Sequence, residues 1–184
     1  MKKISLVTGL CTTVLLMAFS CGDSTDNPAA TSLKYTYKIL DAQGKPSTLF
    51  KQGDAVYFQL SIENTTGTDI GLRNFYGEFA SSESDAFSVD RKSMTDAGTE
   101  KWTRLGKACF PVVALSYGSI TIPAKGTYDL KYEWLDPSPI CQAANTPLNK
   151  GVYRSQFTHT FGGSGGNNSP ANSTQTFSTE FTVE

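Results

Sequence analysis

The chain has 184 residues, with 16 basic residues against 17 acidic ones and a single histidine. That balance lacks the basic face nucleic acid needs. One histidine and no Cys-x-x-Cys pair leave no recognisable metal set, so neither metal nor cofactor is expected.

Residues 1–20 have the three parts of a secretory signal: Lys2 and Lys3, an apolar run from Ile4 to Phe19, and small Ser20 before Cys21. The run is shorter than the ~20 residues that comfortably span a bilayer. Ala18-Phe19-Ser20-Cys21 resembles a bacterial lipobox, relaxed because Phe19 is bulky for its place. The resemblance implies diacylation of the Cys21 thiol, cleavage before Cys21 and acylation of the new N-terminus. More than one acyl chain, at roughly 0.8 kcal/mol per buried CH₂, makes a firm anchor. The other readings are a plain cleavable signal with an incidental cysteine, or an uncleaved anchor. Residues 21–32 are then a lipidated flexible tether. From Gly22 to Ser32 it is small and polar, and at full stretch it reaches at most about 36–40 Å. Asp23-Ser24-Thr25 resembles a bacterial O-glycosylation acceptor, and the acidic residues after Cys21 resemble a surface-export signal; a solvated linker explains both equally well. The expected location is the bacterial cell envelope, on the outer membrane in preference to the inner and in a surface-exposed position if the export signal operates.

Removing the leader takes away Lys2 and Lys3 and leaves 14 basic against 17 acidic residues. Residues 33–184 suffice for one domain, and they alternate with period two. In "LKYTYKIL" Leu33, Tyr35, Tyr37 and Ile39 share a face. After "DAQGKP", "AVYFQLSIEN" aligns Val56, Phe58, Leu60 and Ile62. "NTTGTD" is a turn by composition. "IGLRNF" and "AFSVDR" are shorter strands, with polar "ASSES" looping out between them. "ACFPVVAL" and "SITIP" form one strand or two, and Pro111 and Pro123 place them at an edge or at strand ends. "TYDLKYEW" aligns Tyr128, Leu130, Tyr132 and Trp134. "GVYRSQFTHTF" aligns Tyr153, Phe157 and Phe161, and "QTFSTEFTVE" aligns Phe177, Phe181 and Val183. About eight strands with short turns and no helix predict an all-β domain, an immunoglobulin-like antiparallel β-sandwich.

"VYFQLSIENTTGTDIGL", "ITIPAKGTYDLKYEW", "KGVYRSQF" and "TEFTVE" together resemble the BsuPI family, the intracellular proteinase inhibitor domain, over roughly residues 50 to 184. The matching positions are Asn64, Gly126, Tyr128, Trp134, Gly151 and Tyr153. The resemblance implies an immunoglobulin-like fold and, for the founding member, inhibition of a serine protease. This chain departs from the family in its export signal, its extra cysteines, its Gly-rich last loop, and two regions that look expanded: "ASSES" and Ser93 to Gly106. No inhibitory residue carries over.

Outside the cytoplasm the remaining Cys109 and Cys141 are expected to pair. They would close a loop of about 33 residues and add about 3–4 kcal/mol. Gly162-Gly163-Ser164-Gly165-Gly166 fits G-x-S-x-G, but that nucleophile elbow needs a strand before it, a helix after it and a later histidine. Here His159 precedes it and the surroundings are a soft loop. His159 is expected to be a partly buried, hydrogen-bonded residue, and Trp134 a core residue. Glu83, Asp85 and Asp90 lack EF-hand spacing and are expected in a solvated loop.

No catalytic constellation emerges, so the protein is expected to act by binding and not as an enzyme. "LDPSPICQAANTPLNKG" is the expected partner-facing loop. Pro137, Pro139, Ile140 and Pro147 give it low entropy and Cys141 would pin it. A structural loop stapled for stability is the competing reading. The expected partners are the lipid bilayer, through acylated Cys21, and an unidentified protein. The leading function is a non-enzymatic protein-binding module; the alternative is inhibition of an envelope or secreted protease.

Overall fold

Extended chain is what period-two alternation dictates, and the computed structural model has ten strands among the residues it describes. These are 32–73, 79, 84–109, 119–136, 145–162 and 172–184. All of them belong to one unit, Thr31–Glu184.

Three strands form the first sheet: β1 (Leu33–Leu40), β3 (Tyr57–Asn64) and β8 (Thr127–Glu133), ordered β1-β3-β8 and antiparallel throughout. The second sheet contains β2 (Leu49–Phe50), β5 (Ser88–Met94), β6 (Glu100–Lys107), β9 (Gly151–Phe161) and β10 (Ser173–Val183), ordered β2-β10-β9-β5-β6. Only the short β2 pairs parallel, with β10. A separate pair, β4 (Ile70–Leu72) with β7 (Ile120–Ile122), adds four buried aliphatic residues. The order is immunoglobulin-like: first, second and fifth main strands in one sheet, and the last two beside the third in the other. Tyr153 supplies a second mark of that fold. Near the start of β9, its hydroxyl donates to the carbonyl of Asn149, four residues upstream.

The inner faces meet in one aromatic-rich core. Phe58, Leu60 and Ile62 of β3 are fully buried. Opposite them stand Tyr153, Phe157 and Phe161 of β9 and Phe177 and Phe181 of β10, with Phe58 edge-on to Phe181 at 6.4 Å. Each such side chain contributes roughly 1.5–3 kcal/mol by burial. One polar chain crosses this interior. Tyr37 Oη lies 2.7 Å from Ser155 Oγ, which donates to Ser88 O at 2.8 Å and so ties β1 to β9 and β5. Burial raises the Tyr37 pKa above its ordinary value, offset in part by the Ser155 bond.

Two expectations change. Residues between Ser93 and Gly106 are largely a hairpin, β5–β6, turned at Thr95–Thr99 where Gly98 takes φ 76°. Its polar composition hid it, because β6 is an edge strand with both faces largely wet. A register shift at Val89/Asp90 leaves Leu105 as the extra residue, 47% exposed. Asp90 is also no loop residue. It lies in β5 and is 7% exposed.

Candidate functional site

The two ends of the sandwich differ in construction. Ser32 accepts the Thr65 N–H at 3.0 Å, and Tyr35 stacks on Phe161 with ring centroids 4.3 Å apart. The start of β1 and the end of β9 therefore share one end. The "NTTGTD" turn and the "PAKG" turn close it. Asn64, fully buried, donates from Nδ2 to Thr68 O, Ile122 O and Pro123 O at 2.7–3.1 Å and accepts from Thr66 N and Oγ1. Gly126 packs closely beside it, where a Cβ would sit 3.0 Å from Pro123 O. Asn64 and Gly126, two of the positions that resemble the inhibitor family, thus have structural work to do.

The opposite end carries the segment expected to face a partner. Trp134 N–H donates to Val56 O at 2.9 Å just past β8 and turns the indole inward, 3% exposed and edge-on to Phe58 at 6.5 Å. This is the core position expected for it. Indole Nε1 donates to Thr146 O at 2.8 Å. Asn145 Nδ2 donates to both Lys107 O (2.8 Å) and Trp134 O (3.0 Å). One side-chain amide thus joins β6 and β8, the outermost strands of the two sheets. Half-buried Cys109 follows Lys107 by two residues, and Cys141 precedes Asn145 by four, a reach of at most about 13–14 Å. Pro147 is described and exposed. Pro137, Pro139, Ile140 and Cys141 lie outside the described residues, as do Cys21, the rest of the tether up to residue 31, Glu83 and Ser164.

Trp134, whose carbonyl Asn145 holds, is also a wall of a notch of ≈ 90 Å³, lined further by Val56, Leu135, Pro147, Leu148 and Val183, with Lys51, Asp54 and Glu133 among its other walls. No sequence pattern announced it, because its walls come from four separated stretches of chain.

A larger, polar cleft of ≈ 540 Å³ lies over the outer face of β5, β6 and β9. Asp90 sits at its base and is matched twice, Oδ1 to Arg104 Nε at 2.6 Å and Oδ2 to Arg154 Nη2 at 3.1 Å. Asp85 takes Arg104 Nη1 at 2.7 Å. These carboxylates are held by guanidinium groups, and the Arg154 guanidinium also lies over the Trp102 ring, 4.4 Å from its centroid. Of the acidic residues noted in the sequence, Asp90 is a charge-matched residue of the sheet, while Asp85 is exposed ahead of β5 and paired with Arg104.

His159 lines the same cleft from the inner side. It is 8% exposed, stacks on Phe79 at 4.1 Å and meets Phe161 edge-on at 4.5 Å. Burial lowers its pKa from 6.5 to about 4, so it is neutral at neutral pH. An efficient general base has its pKa near the working pH; His159 is an aromatic-packed core residue, more deeply buried than its sequence position implied.

No family model matches the chain, and no curated protein matches it. Among solved structures, a PapD-like domain of human CEP192 is 12% identical over 100% of this chain and 98% of its own, with a TM-score of 0.40. A putative ApaA protein from Bordetella pertussis is 8% identical, covers 82% of this chain and 93% of its own, and has a TM-score of 0.36. A β-glucosidase from Listeria innocua is 10% identical over 82% of this chain and 16% of its own, at 0.30. At these TM-scores the likenesses transfer neither activity nor partner.

Proposed function

We propose that the protein is a lipid-anchored envelope lipoprotein whose β-sandwich binds another protein through the end that carries Trp134 and Asn145. One observation supports this reading above the rest. Ser32, where the tether expected from Cys21 joins the domain, lies at the Phe161 end, while Leu135 and Asn145–Lys150 lie at the other. An anchor at one end leaves the opposite end to meet a partner. Exposed Leu135 and Pro147 supply apolar contact there. A β-sandwich with binding segments at its ends is a general solution for recognition, since a rigid scaffold positions its loops.

The test uses the full-length protein in the envelope, with a photo-crosslinking residue at position 135 or 147. A discrete adduct from these positions and none from position 38, on the outer face of β1, is the expected result. Equal labelling from all three positions removes the reading. Stoichiometric inhibition in a panel of secreted and envelope proteases would convert the module into a protease inhibitor. The anchor is tested separately. Cys21→Ala should lose incorporation of a palmitate analogue and leave the protein released or unprocessed; equal label on both proteins rejects the lipid anchor.

A further inference from the structure

We infer that the notch beside Trp134 is an anchor pocket for one aliphatic side chain of the partner, presented between basic residues. This rests on the protein-binding reading above and specifies the chemistry of its site. Size comes first. The notch holds ≈ 90 Å³, where a single water needs about 10–15 Å³. It is therefore large enough for a branched aliphatic group. Val56, Trp134, Leu135, Leu148 and Val183 form its apolar walls and offer water few hydrogen bonds, so displacing water from them favours an apolar occupant, while Lys51, Asp54 and Glu133 supply its charged walls.

The walls are also fixed in advance. Trp134 N–H holds Val56 O, and the Trp134 indole holds Thr146 O next to Pro147. Glu184 N–H donates to Phe50 O at 2.8 Å, and Gln52 N–H returns a bond to Glu184 O at 2.9 Å. Asp54 Oδ2 accepts the Lys51 N–H at 2.8 Å and closes the turn above. Each bond ties one wall to the next, so little ordering cost remains for binding.

Charge then selects the flanks of the occupant. Asp54 and Glu133 stand in the lining against one base, Lys51. Glu184 directly follows the lining residue Val183 in the chain. An aliphatic residue between lysines or arginines meets attraction here, and one between carboxylates meets repulsion. The larger cleft over Asp90 is charge-matched, with Asp85 and Asp90 facing Arg104 and Arg154.

The experiment titrates the full-length protein in detergent micelles with capped pentapeptides and follows the Trp134 indole N–H resonance. Lys-Lys-Leu-Lys-Lys should shift it saturably. Replacing the central leucine by serine, or the lysines by glutamates, should weaken binding about tenfold or more. Ala55→Trp, which fills the notch, should abolish the shift. Glu133→Lys should remove the preference for basic flanks, and it decides the matter if Ala55→Trp does not fold. Equal affinity for the leucine and serine peptides, or a Trp134 resonance that never moves, overturns the pocket. The broader reading is judged by crosslinking from positions 135 and 147, so an adduct there with an inert notch rejects the pocket alone.

Discussion

At the end where Ser32 enters, Asn64 is fully buried, and its amide reaches three carbonyls with two N–H groups, one of them shared, and accepts from two donors. At the opposite end Asn145 is half-buried and bridges two carbonyls, one of them on Trp134 in the wall of the notch. Both ends use an asparagine to close a seam, because an amide can donate twice and accept as well. Asn64 has its hydrogen-bonding capacity used up inside the fold, so its end is structural. The Asn145 end keeps apolar surface beside a fixed frame, which is what a binding site needs and a mere closure does not.

The most severe way to break that contrast is at the saturated end. Asn64→Ala removes the amide donor from Thr68 O, Ile122 O and Pro123 O and the acceptor from the Thr66 N–H, while Thr68 O keeps Thr66 Oγ1 and Pro123 O keeps the Gly126 N–H. It should destabilise the domain by about 3–5 kcal/mol in denaturant unfolding. A loss below about 1 kcal/mol would mean that the knot is ornamental and the two ends are alike.

The other end gains its own staple if Cys109 and Cys141 are joined. Mass mapping of the oxidised protein should find that peptide pair linked. Reduction should then lower stability by about 3–4 kcal/mol. Two free thiols would leave Asn145 as the bridge between the described parts of this seam.

Acid separates the ends by chemistry. His159 belongs to the Ser32 end, packed between Phe79 and Phe161. Burial lowers its folded-state pKa from 6.5 to about 4, so the unfolded chain takes up a proton first as pH falls. Its contribution is fully present above pH 6.5 and is lost as pH falls through 4. The amount is on the order of 2–3 kcal/mol. His159→Gln cannot ionise and should flatten urea-measured stability across that window; an unchanged slope would place the acid sensitivity elsewhere.

The finest discrimination is at Gly106. A Cβ there would lie 2.7 Å from Asn145 Oδ1, so Gly106→Ala should displace the amide and cost about 1–2 kcal/mol. The same substitution in an Asn145→Ala background should cost nearly nothing, because the displaced group is already gone. Additive losses would show that the glycine answers to the β6 backbone and not to Asn145.

The strands of the core were legible because alternation is a property of neighbouring residues. Period two in "LKYTYKIL", "AVYFQLSIEN", "TYDLKYEW" and the last two segments needed no knowledge of partners, and each became a strand of the sandwich. Where a residue's environment depends on a distant part of the chain, local pattern failed. β6 is polar on both faces because its place at the sheet edge leaves both largely wet, so nothing in it alternates. Asp90 looked solvated beside Asp85 and became buried because Arg104 and Arg154 arrive from β6 and β9 to neutralise it. Phe79, one apolar residue near "ASSES", became core because His159 and Phe87 present rings to it.

The asparagines mark the same boundary. Asn64 could be read as a turn residue, yet its bond to Ile122 O spans 58 positions. Asn145 carried no signal at all, and its bond to Lys107 O spans 38. By itself the sequence determined the alternation and the turns, both of which are encoded within a few residues. Only tertiary structure decided which edges meet, which charges are matched and where a notch is left open. Those outcomes depend on side chains from separate strands converging at fixed distances, and that convergence exists only once the sheets have packed.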